Sequence, residues 1–471
     1  MLMMTEGPTR VAEAVLEVSQ LVWGPSIRPE LFARWSQGFI FSNDERTALI
    51  QTSGGPCAVI APVQAFLLKN LISKYQLSQL REIDSTILDQ HLAATLTEML
   101  CQCKQPSTLG MHSGEKPVSP TESLDNSNTP SRRDQGPFEI ACLDDPLPQN
   151  SDCVETGLQE PDQPSPTPSA KDYSLFHSSV RLRQFESAHS LQNYLETHLD
   201  KYKAQYGVLL FLYSVLLTKG VKAVREEIGD HNESLIDVTQ GHGGQGLINL
   251  LITGRASAYV WDEEKDVGGL NLVGVLKRPV VGFLTRLEHL RYVQVGWYLK
   301  NPTNPVWVIA SETHLTVLFS WSKKLVTPDS EVERAKQVFS WYDTEGNRFI
   351  QKEKLKDVLE KLNMCTDDDF IRFMMNELDP DNIGVILYHK FVEAFFTPEQ
   401  SYTPPDTFIV YHYNGLESSC PLGKIAYAEG CVTLQESHVG YTPANSEFLT
   451  CLTTKWPNLD IQWASFTPSL N

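Results

Sequence analysis

A cysteine that follows two glycines and a proline, at the head of an apolar run, is the residue of this chain best suited to nucleophilic chemistry. The stretch reads QTSGGPCAVIAPVQAF, from Gln51 to Phe66. Proline fits the first turn of a helix because it lacks the N–H that would go unpaired there. Gly54 and Gly55 permit a tight approach and leave backbone N–H groups uncovered. Cys57 then stands at the positive end of a helix, where the field favours thiolate over thiol. Exposed amides at that end suit the oxyanion of a tetrahedral intermediate, and the side-chain amide of Gln51, on the same loop, is a further donor. The same pattern also describes a structural cysteine behind a glycine turn, because free cysteine is commonly buried without chemistry.

A thiol nucleophile needs a base, and 12 histidines compete for the part. His112 lies in a low-complexity stretch. His177, His189, His198 and His231 fall in polar helical or loop regions. His242, in TQGHGGQG, sits in a glycine-rich turn and is the serious rival. His314, in VWVIASETHLTVLFSW, ends one apolar strand and begins another, so a sheet can hold its ring rigidly towards a cleft. A strand-end histidine satisfied by hydrogen bonds fits that pattern equally well. A cysteine early on a helix and a histidine much later on a strand is the order of papain-like thiol hydrolases, for which geometry is the criterion. Glu312, Asn249 and Asp262 are the available groups for orienting the imidazole, and the sequence does not choose among them. Zinc is a poorer account of the cysteines, since Cys101 and Cys103 lack a second close pair. The turn around His242 lacks the lysine and hydroxyl of a phosphate loop.

The elements that must position these residues follow from the apolar periodicity. Helices are expected over 10–24, from Cys57 to Leu68 with one broad buried side, around 82–103, and at YGVLLFLYSVLLTKG. Residues FARWSQGFIFS read as a turn and strand anchored by Trp35, Phe39 and Phe41. LNLVGVL, VVGFL, RYVQVGWYL, VWVIAS and HLTVLFS read as strands, as do TFIVYHYNGL, KIAYAEGCVTL and LDIQWASF near the end. Between 104 and 170, Pro, Ser, Thr, Asn, Asp and Gln dominate, and such a stretch buries too little apolar area to offset its ordering entropy. PFEIACL is a chance apolar island or a short docking element within it.

Residues 330–400 form a distinct pattern of two helix–loop–helix units. Asp343, Glu345 and Asn347 alternate in the first loop, but Arg348 takes the position of the sharp-turn glycine and Lys354 replaces the terminal carboxylate. The second loop keeps Asp379, Asp381 and Gly384, with Ile383 and Lys390 where oxygen ligands belong. Calcium needs those carboxylates, so this is an EF-hand-like pair without good ion sites, suited to a structural or partner-binding role.

Composition sets the outer bounds. A length of 471 residues suggests two or three units. The formal charge of −19, from 58 acids and 39 bases, speaks against a broad phosphate-binding surface and hence against nucleic acid. Nine loosely spaced cysteines form no disulfide framework, and neither a secretory leader nor a bilayer-spanning run is expected. Cytosol or nucleus fits these signs.

Several long motifs now converge. Gln51 with GGPCAVIAPVQAFLL, then YGVLLFLYSVLLTKG, GHGGQGLINLLITGRA, SETHLTV, VYHYNGL and CLTTKWP together resemble the MINDY deubiquitinases, and in particular the member of that family with EF-hand-like sequence. The resemblance covers nearly the whole chain outside the first residues and the 104–170 insertion. It implies an α+β fold: a papain-like cysteine peptidase core with an inserted helical EF-hand-like unit. The expected division is 1–103 with the nucleophile helix, 104–170 as the insertion, 171–329 with the histidine, 330–400 as the EF-hand-like pair and 401–471 as completing strands. It also implies cleavage of isopeptide bonds in polyubiquitin, favouring chains joined through the ubiquitin lysine at position forty-eight. Cys57 carries over as nucleophile, His314 as general base and Gln51 as oxyanion donor, without metal or organic cofactor. Polyubiquitin and ubiquitinated proteins are the implied partners, with a protein contact at the EF-hand-like unit, no membrane, and residence in nucleus or cytoplasm. Trp35, Trp307 and Phe39 are candidates for walling a slot for a Gly-Gly tail, or else core. The competing functional class is a non-catalytic ubiquitin-binding scaffold.

Overall fold

The run after Gly-Gly-Pro is a helix, Cys57–Ile72, and every residue from Cys57 to Leu68 is buried. Burial on all sides, rather than on one, makes it a central element of the core. A second, largely apolar helix, Gly207–Lys219, is buried from Gly207 to Leu217. Gln64 is the polar exception among the buried residues of the Cys57–Ile72 helix. Its amide accepts from Leu49 N at 2.7 Å and donates to Thr47 O at 2.9 Å, which ties the segment before Gln51 to the helix. The computed structural model describes residues 8–104, 137–144, 170–229, 233–326, 330–343, 347–396, 405–434 and 446–470.

Twelve strands are described. They are β1 (Phe138–Leu143), β2 (Val180–Phe185), β3 (Glu264–Val267), β4 (Leu270–Val273), β5 (Gly282–Thr285), β6 (Val306–Ala310), β7 (Leu315–Phe319), β8 (Phe349–Gln351), β9 (Val385–Leu387), β10 (Thr407–Tyr413), β11 (Ala428–Leu434) and β12 (Leu459–Trp463). Six of them make one sheet in the order β12-β11-β10-β7-β6-β5. The β5–β6 pair is parallel and the other pairs are antiparallel. Strands β6 and β7 are buried at every position, as expected where a sheet is covered on both faces. The Cys57–Ile72 helix packs against both of them. Mixed helix and sheet thus form one unit, Met1–Trp321 with Thr407–Asn471, and Ser322–Asp406 forms another.

Three local expectations fail for physical reasons. PFEIACL, placed in the unordered insertion, is β1, paired antiparallel with β2 from Phe138↔Phe185 to Leu143↔Val180. Its backbone also uses Ser214 and Thr218 of the central helix: Ala141 N donates to Ser214 Oγ at 2.9 Å and Glu139 N to Thr218 Oγ1 at 3.1 Å. RYVQVGWYL is no strand. The buried Asp262 carboxylate accepts from Trp297 N (2.7 Å) and Tyr298 N (3.0 Å), and starts the short helix Trp297–Lys300 instead. The turn and strand expected at FARWSQGFIFS begins as a helix, Pro29–Trp35, followed by a single bridge from Phe41 to Leu49. Among the described residues no single helix is long and apolar enough to cross a membrane.

The second unit contains the helices Glu331–Tyr342, Leu355–Lys361, Asp368–Leu378 and Tyr388–Phe395, with β8 and β9 joined at Ile350↔Ile386. Arg348 adopts a left-handed φ of 64° where a loop of this kind favours glycine. Glu345 lies outside the described residues. Asp379, opening the second loop, accepts from Ile383 N at 2.8 Å and Gly384 N at 2.9 Å. The Lys352 ammonium lies 3.2 Å from the same carboxylate and 3.1 Å from Asn382 Oδ1. A cation from the chain itself therefore balances the first acid of this loop. Added calcium is expected to leave the melting temperature of the full-length protein unchanged, whereas Lys352→Gln should lower it. A calcium-specific rise over a magnesium control, measured by scanning calorimetry, would contradict this reading.

Candidate active site

Pro56 O accepts from Val59 N and Ile60 N, both at 2.9 Å, so the first turn of the Cys57–Ile72 helix closes just behind the cysteine. The Cys57 side chain is 3% exposed, and its Sγ lies 3.7 Å from Gly55 O. Burial pushes the thiol pKa up, while the backbone of Leu315, Gly55 and Ala58 acts in the other direction. Leu315 directly follows His314, so the sulfur at the helix start and the head of β7 are neighbours.

His314 is set by a tight turn between β6 and β7. Ser311 N donates to His314 O at 3.0 Å, and His314 N donates to Ser311 Oγ at 3.0 Å. Its ring is buried, with Nε2 2.9 Å from Asn414 Oδ1. Leu416 N donates to that same oxygen at 3.0 Å, and Asn414 Nδ2 donates to Ser469 O at 3.3 Å. Oδ1 is therefore the acceptor, so Nε2 carries the proton and Nδ1 keeps its lone pair. Burial pushes the His314 pKa down, the Asn414 bond opposes this, and the nearby His242 adds to the downward shift. Burial therefore favours the uncharged form of each group, the Cys57 thiol and the His314 imidazole.

None of the three orienting groups suggested by the sequence serves His314. Glu312 is held by Arg286 at 2.8 Å, and Arg286 also holds Glu447 at 2.9 Å. Asn249 donates to Ser257 O (2.7 Å) and Tyr259 O (2.9 Å). Asp262 caps the Trp297–Lys300 helix. Asn414 was missed, although it stands at the end of a legible strand in VYHYNGL. His412, two positions earlier, is fully buried with a pKa pushed down to about 3, by burial and then by His314, so it stays neutral. His177 is no free surface residue either, since its ring nitrogens meet Tyr173 O and Tyr213 Oη, both at 2.7 Å. His112 and His231 lie outside the described residues.

Gln51 is buried beside this group. Its N–H donates to Gly415 O at 2.7 Å, and Gln51 forms a parallel bridge with Leu416. The loop of Gln51 is thereby tied to the residues just after Asn414. Its side-chain Nε2 donates to Ser53 O at 2.8 Å. Trp35, Phe39 and Trp307 are fully buried core residues rather than the walls of an open slot. Trp35 supports the cysteine loop from below: its Nε1 donates to Gly241 O at 2.9 Å, and a β-carbon on Gly55 would fall 2.9 Å from that same nitrogen. Among the described residues no cluster of three His, Cys, Asp or Glu side chains forms a metal site, and every cysteine is free.

Residues 19–356 match the family model described as deubiquitinating enzyme MINDY-3/4, conserved domain, and residues 332–396 match an EF-hand domain pair. Ubiquitin carboxyl-terminal hydrolase MINDY-3 of Homo sapiens is 39% identical over 477 residues, covering 98% of this chain and 100% of that protein. The MINDY-3 homolog of Drosophila melanogaster is 40% identical over 466 residues, covering 97% of this chain and 82% of that protein. The probable MINDY-4 enzyme of Xenopus tropicalis is 28% identical over 385 residues, 79% of this chain and 44% of that protein. No solved structure matches the chain. A family match over most of the sequence, with relatives aligned along nearly its full length, establishes that the chain belongs to the MINDY family of deubiquitinating enzymes and is a cysteine-type deubiquitinase.

Proposed function

We propose that the protein hydrolyses the isopeptide bond between ubiquitin units, in chains joined through the lysine at position forty-eight, by a papain-like thioester route. The observation that carries this reading is the approach of Cys57 to Leu315, next to a histidine whose tautomer is set by Asn414. His314 Nδ1 takes the thiol proton as Sγ attacks the carbonyl carbon of the terminal glycine. The tetrahedral oxyanion is met by backbone N–H groups at the helix start and by Gln51 Nε2, once that amide leaves Ser53 O. The imidazolium then protonates the departing lysine amine and the C–N bond breaks, leaving a thioester on Cys57. Water, deprotonated by His314, attacks the thioester; Sγ leaves and recovers a proton, and a free ubiquitin carboxylate is released. Asn414 holds the ring in register through all of these steps and keeps the imidazolium hydrogen-bonded.

Ubiquitin chains and ubiquitinated proteins, in cytoplasm or nucleus, are the partners this reading requires. The EF-hand-like unit adds a candidate protein contact, supported by the exposed Phe373 (59%) and Ile383 (72%). The decisive experiment pairs a ubiquitin C-terminal electrophile with a panel of chains of defined linkage. Wild-type protein should be labelled on Cys57 and should cleave chains of the stated linkage faster than others, whereas Cys57→Ala should do neither. A folded wild-type protein that binds chains but is neither labelled nor active would instead establish the scaffold class. Equal cleavage of all linkages would remove the linkage claim alone.

A further inference from the structure

The glycine-rich turn that carries His242 presses on both sides of the nucleophile. A β-carbon on Gly243 would fall 2.3 Å from the Ala58 β-carbon, and one on Gly55 would fall 3.1 Å from Gly241 O. Gly55 and Ala58 flank Pro56 and Cys57, so His242, between Gly241 and Gly243, is held against the cysteine loop. The turn is itself well fixed. Asp237 N donates to His242 O at 2.8 Å, Gly241 N donates to Asp237 O at 2.8 Å, and the Arg34 guanidinium donates to Gln240 O. These bonds fix the main chain of the turn against the cysteine loop and leave the ring its side-chain rotation, by which Nδ1 can turn towards a bound tail. Yet His242 Nδ1 is covered by the protein and has no hydrogen-bond partner. A covered ring nitrogen beside a nucleophile, without a partner in the resting protein, is a position at which a bound substrate can complete the hydrogen bonding. Its proximity to His314, felt in the lowered pKa of that residue, puts it within the same centre.

We propose that His242 is a substrate-binding residue of the active centre, whose Nδ1 pairs with a main-chain group of the extended C-terminal tail as it lies along the cysteine loop. An extended Gly-Gly tail has no side chains to recognise, so main-chain hydrogen bonds are the chemistry open to it. This role rests on the ubiquitin-hydrolase reading above. It differs from that of His314, because His242 holds the substrate and takes no proton from the thiol.

Two substitutions separate these roles. His242→Phe keeps a flat ring and removes both nitrogens, while His242→Asn returns a polar atom near the Nδ1 position. For full-length protein, His242→Phe is expected to lower kcat/KM on ubiquitin chains by about tenfold, the value of one lost hydrogen bond of ordinary strength. His242→Asn should recover part of the loss. Alkylation of Cys57 by iodoacetamide, which carries no tail, should proceed at the wild-type rate in both variants, with melting temperatures measured alongside. An unchanged kcat/KM in His242→Phe overturns the proposal. So does a parallel loss of iodoacetamide and ubiquitin reactivity, which would make the residue a proton acceptor or a structural support. A wild-type protein inert towards the ubiquitin electrophile overturns the ubiquitin reading and this role together. Labelled wild type with unaffected variants overturns this role alone.

Discussion

His314→Ala is expected to lower kcat/KM on ubiquitin chains by about a thousandfold or more while the protein stays folded. General acid–base catalysis by one side chain is commonly worth about 10²–10⁴ in rate. In the proposed route the same ring serves the proton transfers from the thiol, to the lysine amine and from water. The thiol depends on it heavily, since burial pushes the Cys57 pKa up and little thiolate exists without a base. The fold should tolerate the change. The backbone bonds of the Ser311–His314 turn involve no imidazole atoms, and Asn414 Oδ1 keeps its bond from Leu416 N at 3.0 Å. Asn414→Ala should fall between wild type and His314→Ala, because the base remains but its tautomer and orientation are no longer set. The pH profile adds an independent reading. The acceptor form of His314 is neutral, and burial pushes its pKa down, so that form persists to lower pH than in an unperturbed imidazole. The acid limb of kcat/KM should therefore lie below about 6.5. Chain cleavage by His314→Ala at near wild-type rate would remove the residue from the mechanism. An acid limb above the ordinary imidazole range would contradict the neutral-pair description.

The helix start at Cys57 and the turn at His314 were legible because each is announced locally. Glycine, proline and cysteine before an apolar run mark a helix start, and a histidine between two apolar strands marks a turn. Asn414 was not legible, although its strand was. Its partner is 100 residues away, and only the register of β10 on β7, with Tyr413 opposite Val317, brings the residue after β10 to the turn before β7. That pairing spans the inserted 322–406 unit, which no periodicity can count across. The same lesson holds for β1, whose apolar residues look isolated until β2 and the Gly207–Lys219 helix supply hydrogen bonds. In RYVQVGWYL the alternation was real but misleading, because a single buried carboxylate, Asp262, fixed a helix start from 35 residues away. Long-range polar partners, rather than local propensity, decided each of these cases.

Gln51→Ala should reduce kcat by about 10²–10³ with little change in KM, the signature of an interaction made only as negative charge develops on the substrate oxygen. The resting geometry is the reason to expect an effect confined to the transition state. Gln51 Nε2 donates to Ser53 O at 2.8 Å, a neutral carbonyl, so exchanging that partner for an oxyanion strengthens the bond rather than creating one from nothing. The exchange needs only a side-chain rotation. The main chain of Gln51 stays fixed through its N–H to Gly415 O at 2.7 Å, beside the residue that holds His314. Truncation should therefore leave the loop in place, and its effect on melting temperature should be limited to one ordinary hydrogen bond, about 1 kcal/mol. Gln51→Glu sharpens the comparison. It keeps the size of the side chain but replaces the donor with a carboxylate, which repels the oxyanion, so its kcat should fall at least as far as that of Gln51→Ala. If Gln51→Ala instead raises KM and spares kcat, the amide positions the ground-state substrate and the oxyanion rests on the backbone amides alone. If Gln51→Glu retains wild-type turnover, no donor from this side chain reaches the developing charge.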